Sequence, residues 1–234
     1  LYAMVAQKGG RLYDEEGTKT LLTEPKAMEA FIDFTTFFSD YGFEISANFS
    51  NRFRSGEMPM GVANFSLYNT LSVFAPEIRG HWEFRPLPGY DFDGEIRNET
   101  TSTVSGTVIL GDTKEAKASW EFLKWWLGAE AQSGYARGME AILGAAARYP
   151  TANLKAFEKL PWSAKDYQLL TSQRTKAVGV PTFPGDYIVG RYIDNAFRSS
   201  INNNINPRDS LYEYCKKINI ELTRKRQEFG LNGE

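Results

Sequence analysis

Residues 206–230 place the tightest folding constraint on this 234-residue sequence. Asn206 offers a capping side chain, Pro207 occupies a first-turn position where its missing N–H costs nothing, and Asp209 suits the positive end of a helix. Between them and Gly230, Leu211, Cys215, Ile218 and Leu222 recur at three- and four-residue spacing. This predicts an amphipathic helix running to about Phe229, whose apolar face must be buried against other elements. Two further helices offer such faces. Thr23 is read as an N-cap and Pro25 as a first-turn residue, followed by Met28, Phe31, Phe34, Thr35 and Phe38 until Gly42. Residues 187–199 read as another helix, with Ile188, Tyr192, Ile193 and Ala196 apolar.

Elsewhere the signals are shorter. Residues 53–60 read as a short helix or turn feeding a buried strand at 61–65, and 81–87 alternate like a strand ending at Pro86-Leu87-Pro88-Gly89. The polar stretch 91–105 reads as an exposed loop or a crossing between two bodies. Asp112 with Glu115 forms a capping-box pattern opening a helix striped by Ala116, Trp120, Leu123 and Leu127 and flanked by Phe122, Trp125 and Trp126. Helical spacing assigns these rings to packing against a sheet, with a ligand platform as the alternative. A helix follows from 129 to 137, stopping at Gly138. Residues 153–174 read as short helical pieces around Pro161, and 180–185 as a rigid extended connector.

Composition removes several function classes. The 27 basic and 29 acidic residues are interspersed and leave a formal charge of −2, so no basic stripe is available for phosphates, and nucleic acid is set aside. A single cysteine, Cys215, forbids an internal disulfide, and with the lone His81 it leaves little for a metal centre or a histidine triad. No cofactor is expected. Residues Phe, Trp and Tyr make up 14% of the chain, enough to line a ligand surface as well as a core. No stretch approaches the roughly 20 apolar residues of a membrane span.

Several motifs, in order, carry a resemblance. They are Phe53-Arg54-Ser55-Gly56-Glu57-Met58-Pro59-Met60; Pro86-Leu87-Pro88-Gly89; the Ala-, Phe- and Trp-bearing helix with Gln at 118–132; Ile142-Leu143-Gly144; 181–185; Ile218-Asn219; and the Lys-Arg-x-Glu-Phe-Gly-Leu ending at 225–231. Together they resemble family 1 extracellular solute-binding proteins of ABC importers, the maltose-binding-protein-like sugar receptors, over their C-terminal portion. The resemblance implies an α/β, type II periplasmic-binding-protein-like architecture, partial here and helix-rich with a small mixed sheet. It implies two lobes closing on a ligand. Residues 1–104 and 160–234 would belong to the C-terminal lobe, and 105–159 would be an excursion into the N-terminal lobe. A further N-terminal stretch usual in the family is expected to be missing. Its loss would leave apolar surface on the 114–127 helix, a fragment open to self-association, and weaker sugar binding than in the intact receptor. The implied partners are a carbohydrate or oligosaccharide ligand and ABC permease subunits. Anchoring through an N-terminal lipid outside this sequence is also implied, with a place on the extracellular face of the membrane, as a lipoprotein, or in the periplasm.

A sugar offers C–H faces and a rim of hydroxyls, so a site needs aromatic plates and hydrogen-bonding groups. By resemblance, Phe65 or Tyr68 is the plate and Asn64 or Ser66 the rim partner, with Phe65 as strand core the alternative. A second cluster is expected at Asp186, Tyr187 and Arg191. There the chain departs from maltose-binding protein at Gly190 and Arg191, which argues against a maltodextrin-specific site. Arg191 reads either as a fork for hydroxyl pairs or a carboxylate-bearing sugar, or as a surface ion pair with Asp194 or Asp186. Ser105 and Gly106, and Gly144 from the opposite lobe, are expected to turn backbone groups to the cleft. No catalytic residue is expected. The alternatives are a glycosidase-like enzyme drawing on acids such as Glu24, Glu29, Asp33, Glu44 and Glu57, and a sensor subunit that presents its ligand to a membrane receptor.

Overall fold

A computed structural model describes residues 1–103 and 105–231. Along the chain lie α1 (Tyr2–Gln7), α2 (Pro25–Ser39), α3 (Phe49–Arg54) and α4 (Leu67–Phe74). Strands β1 (Tyr90–Phe92), β2 (Glu95–Arg97) and β3 (Thr100–Ser102) follow. Next come α5 (Ala116–Trp126), α6 (Ala129–Leu143), α7 (Leu154–Phe157), α8 (Ala164–Arg174), β4 (Ala177–Gly179), α9 (Asp186–Asn203) and α10 (Pro207–Glu228). Single 3₁₀ turns cover Pro76–Ile78 and Gly144–Ala147. The architecture is helix-rich, with a small strand content in two ladders: β1–β2 antiparallel and β3–β4 parallel.

The residues form two compact units. The first comprises Leu1–Ser46, Pro86–Thr103 and Gln173–Glu234, and the second Ala47–Arg85 and Val104–Ser172. All of the expected excursion, 105–159, falls in the second unit, joined there by 47–85 and 160–172.

In the first unit, α9 and α10 form a helical hairpin across a three-residue link. Asn206 caps α10 by accepting the Arg208 N–H at 2.9 Å, and Pro207 starts it, as the spacing predicts. Leu211, Cys215, Ile218 and Leu222 are almost completely buried, packed with Val189, Ile193, Ala196 and Phe197 of α9 and Ala27, Met28, Ala30 and Phe31 of α2. Each fully buried large apolar side chain contributes on the order of 1.5–3 kcal/mol, so this three-helix contact is the main stabilising body of the unit. The cap of α2 is Glu24 rather than Thr23, with Pro25 in the first turn.

Residues 91–105 are not one open loop. Asp93 and Gly94 both have positive φ, 54° and 87°, the conformation of a two-residue hairpin turn, and they join β1 to β2. The Asp-Gly pair flanked by Tyr90, Phe92 and Ile96 was the available signal.

The second unit contains helices joined by irregular segments, with no strand among its described residues. The expected strand at 61–65 is irregular, and its residues are exposed except for a half-buried Phe65. The part of the expected 81–87 strand in this unit, 81–85, likewise has no ladder, although the alternation survives: Trp82 and Phe84 are half-buried while Glu83 and Arg85 are exposed. A strand exists through its ladder, and no partner strand lies beside these segments among the described residues. The capping box also fails. α5 begins at Ala116, after Glu115, and Thr113 Oγ1 rather than Asp112 accepts the Glu115 N–H. α6 runs through Gly138 and ends at Gly144, whose φ of 73° closes the helix. On α5 only Leu123 is buried, while Trp120, Phe122, Trp125 and Leu127 are each more than half exposed. The described part of this unit has no sheet against which that face could pack. Among the described residues no helix is long and apolar enough to cross a membrane, and no group of three or more metal-ligating side chains occurs.

Candidate ligand-binding site

The second unit gathers an aromatic wall around the start of α4. Asn64 and Phe65 form the turn into the helix, their carbonyls accepting the N–H groups of Leu67 at 2.9 Å and Tyr68 at 3.0 Å. Bonding through the backbone leaves the side chains of Asn64 and Ser66 exposed on this turn. Phe65 reaches the Trp162 ring, centroids 5.5 Å apart. Tyr68 lies at the middle of the cluster, 5.2 Å from Trp162, 5.7 Å from Trp82 and 5.7 Å from Phe84, edge-on to the last two. Behind Trp162 stand Phe157 and Tyr167, the latter stacked on Phe157.

One charged side chain holds this wall. Arg148 is 8% exposed, and its Nε donates to both oxygens of Glu140 at 3.1 Å, with Nη2 completing the fork. Its guanidinium carbon lies 4.4 Å from the Trp162 ring centre and 5.6 Å from that of Tyr68, and Nη1 donates to the Tyr68 hydroxyl at 3.4 Å. Burial opposes the arginine charge, but the hydrogen bond and charge of Glu140 outweigh it and raise the pKa above the ordinary value. The Arg148 carbonyl accepts from Asn69 Nδ2 at 2.9 Å, tying the segment after α6 to α4. Two buried polar atoms beside this arrangement, Asn69 Oδ1 and Trp162 Nε1, have no hydrogen-bond partner among the described residues.

Of the residues anticipated from sequence, Asn64, Phe65, Ser66 and Tyr68 are therefore brought together. Gly144 is exposed and opens the 3₁₀ turn that leads to Arg148. Ser105 and Gly106 are exposed and irregular, with no hydrogen bond or ring contact to 64–68. Asp186, Tyr187 and Arg191 belong to the first unit, in the opening turns of α9. Tyr187 is 62% exposed, with Lys225 Nζ 6.0 Å from its ring centre. Arg191 is exposed one turn on, and Asp194 pairs with Arg198 at 2.7 Å rather than with it. Burial chiefly, and then the Asp186 charge, pushes the Tyr2 hydroxyl above its ordinary pKa.

Sequence reasoning missed Trp162, Arg148, Glu140, Trp82 and Phe84. The alternation of 82 and 84 was a usable signal. Arg148 follows three alanines and gave none.

No protein-family profile and no curated protein matches the sequence. Solved structures do match in fold. The sugar-binding protein MalE from the phytopathogen Xanthomonas citri superposes with a TM-score of 0.80 at 15% identity, over 99% of this chain and 57% of its own. An ABC transporter solute-binding protein from Thermotoga lettingae bound with α-D-tagatose gives 0.67 at 11% identity, over 94% and 55%. The maltose-maltodextrin binding protein of Alicyclobacillus acidocaldarius gives 0.64 at 16% identity, over 93% and 58%. This chain therefore has the fold of the sugar-binding solute receptors of ABC transporters, and it spans a little over half the length of those it matches.

Proposed function

We propose that this chain binds a carbohydrate and serves delivery of that sugar to an ABC importer on the outer side of the membrane. The observation that carries the reading is the aromatic wall of Phe65, Tyr68 and Trp162, set beside the exposed amide and hydroxyl of Asn64 and Ser66 in a fold shared with sugar-binding receptors. Flat apolar rings suit the C–H faces of a sugar and the turn side chains suit its hydroxyls. On this reading Asp186, Tyr187 and Arg191 form a second contact group, Ser105, Gly106 and Gly144 offer backbone groups, and binding closes two lobes on the ligand. On that reading the first unit lies within the expected C-terminal lobe, whereas 47–85 and 160–172, expected in the same lobe, group with the excursion in the second unit. Permease subunits are the partners implied, with a lipid anchor or a periplasmic location.

The test is a thermal-shift and calorimetric screen of the chain as its gene encodes it. The panel should include maltose, α-D-tagatose and cycloalternan. Ligand that binds only the native state raises the melting temperature, and binding without turnover is the expected result. Stabilisation by no sugar in a broad panel, or hydrolysis of a chromogenic glycoside, overturns the proposal.

A further inference from the structure

We propose that Arg148, neutralised by Glu140, is the positioning residue of a subsite for uncharged carbohydrate formed by Tyr68, Trp162 and Asn69, an inference that rests on the carbohydrate reading above. Three observations converge on it. Arg148 is the common partner of the other groups: it lies against the Trp162 ring, donates to the Tyr68 hydroxyl and accepts from Asn69 through its carbonyl. A guanidinium has a rigid planar fork, so one buried side chain with several fixed contacts sets the tilt of Tyr68 against Trp162, 60° with centroids 5.2 Å apart.

The charge of the fork is also matched. Nε and Nη2 are taken by Glu140 and Nη1 by Tyr68, so the pair presents no unmatched charge. At this pair a carboxylate-bearing sugar would meet Glu140 and a guanidinium whose charge Glu140 already matches. Asn69 Oδ1 and Trp162 Nε1 add an unused acceptor and an unused donor beside the rings. Buried polar atoms demand partners, and sugar hydroxyls both donate and accept. The combination of flat rings, one acceptor, one donor and no net charge fits a neutral polyol.

The experiment uses the full gene-encoded chain, with maltose and α-D-tagatose as neutral probes and galacturonate as the acidic one. Variants are R148M/E140M, which removes both charges together, R148K, Y68A and W162A. Affinity is read by calorimetry, and ring geometry by the Tyr68- and Trp162-dependent near-ultraviolet circular dichroism. With the wild type binding a neutral sugar, R148M/E140M should stay cooperatively folded, bind that sugar about tenfold more weakly and lose the ring signal. R148K should recover part of both. Affinity unchanged in R148M/E140M, or tighter binding of galacturonate than of either neutral probe, overturns the proposal. Unchanged affinity in Y68A and W162A removes this subsite while leaving the receptor reading in place. A wild type that binds no probe in the panel removes both.

Discussion

The guanidinium carbon of Arg148 lies 4.4 Å from the centre of the Trp162 ring while the same side chain grips both oxygens of Glu140. The two ionic side chains are 9% and 16% exposed. Removing one of them leaves the other charge with little water and no counter-ion. Arg148→Ala should therefore cost about 3–5 kcal/mol, while R148M/E140M should cost clearly less, because a buried pair exchanged for apolar groups is close to neutral. Urea denaturation of the two variants decides this, and equal midpoints would contradict it.

Cys215 is 1% exposed within the α2–α9–α10 contact. Burial pushes its thiol up to about 12 from the ordinary 9.0. Between those values the unfolded chain has released a proton that the folded chain keeps, so this group's contribution to stability falls as pH rises. The urea midpoint of the wild type should drop more than that of Cys215→Ala between pH 8 and pH 10.5. The native thiol should resist a thiol reagent at pH 8 and react once the chain is unfolded. Parallel pH curves for the two proteins would refute the assignment.

Glu83 sits in the irregular 81–85 segment and is met by Lys165 of α8 and by Arg85. The hydrogen bond from Lys165, followed by that from Arg85, holds its carboxyl below the ordinary 4.5. A depressed carboxyl contributes above its unfolded pKa, and the contribution fades as pH falls through the folded value. Lys165→Ala should move the Glu83 titration, followed by carboxyl NMR, up toward 4.5. No movement would show that the ion pair is not populated in solution.

Gly94 adopts a φ of 87° in the β1–β2 turn, with no atom near the position of an added Cβ. The cost of Gly94→Ala is then backbone strain alone, about 1 kcal/mol. It should appear as faster hydrogen exchange at the Tyr90–Arg97 ladder while the α9–α10 amides are unchanged. Uniform acceleration in both would assign the effect to global stability instead.

The main core was legible in the sequence because each of its elements carries its own local signature. Asn206-Pro207 and the Leu211, Cys215, Ile218, Leu222 stripe specify α10 without reference to anything outside it, and the same holds for the apolar face of α2 behind Pro25. The strand expectations at 61–65 and 81–87 failed because alternation records only which side chains face inward. Whether a ladder forms depends on a second strand, which is a non-local matter. The candidate site divides the same way: Asn64, Phe65, Ser66 and Tyr68 were singled out only through the resemblance, on a stretch whose first part was read as a strand, and their support comes from Arg148, Glu140 and Trp162, 72 to 97 positions away from Tyr68 and Phe65 at the extremes.

By itself, then, the sequence determined the helical periodicity, the proline and asparagine starts, the near-neutral charge and the scarcity of ligands for metals or disulfides. These are set by residue type and short-range spacing. Only the tertiary structure decided which aromatic rings meet, which of them stay exposed on α5, and which buried charge fixes the wall around Tyr68. Those outcomes depend on burial and on partners distant in the chain, and burial is a property of the packed molecule rather than of any segment of it.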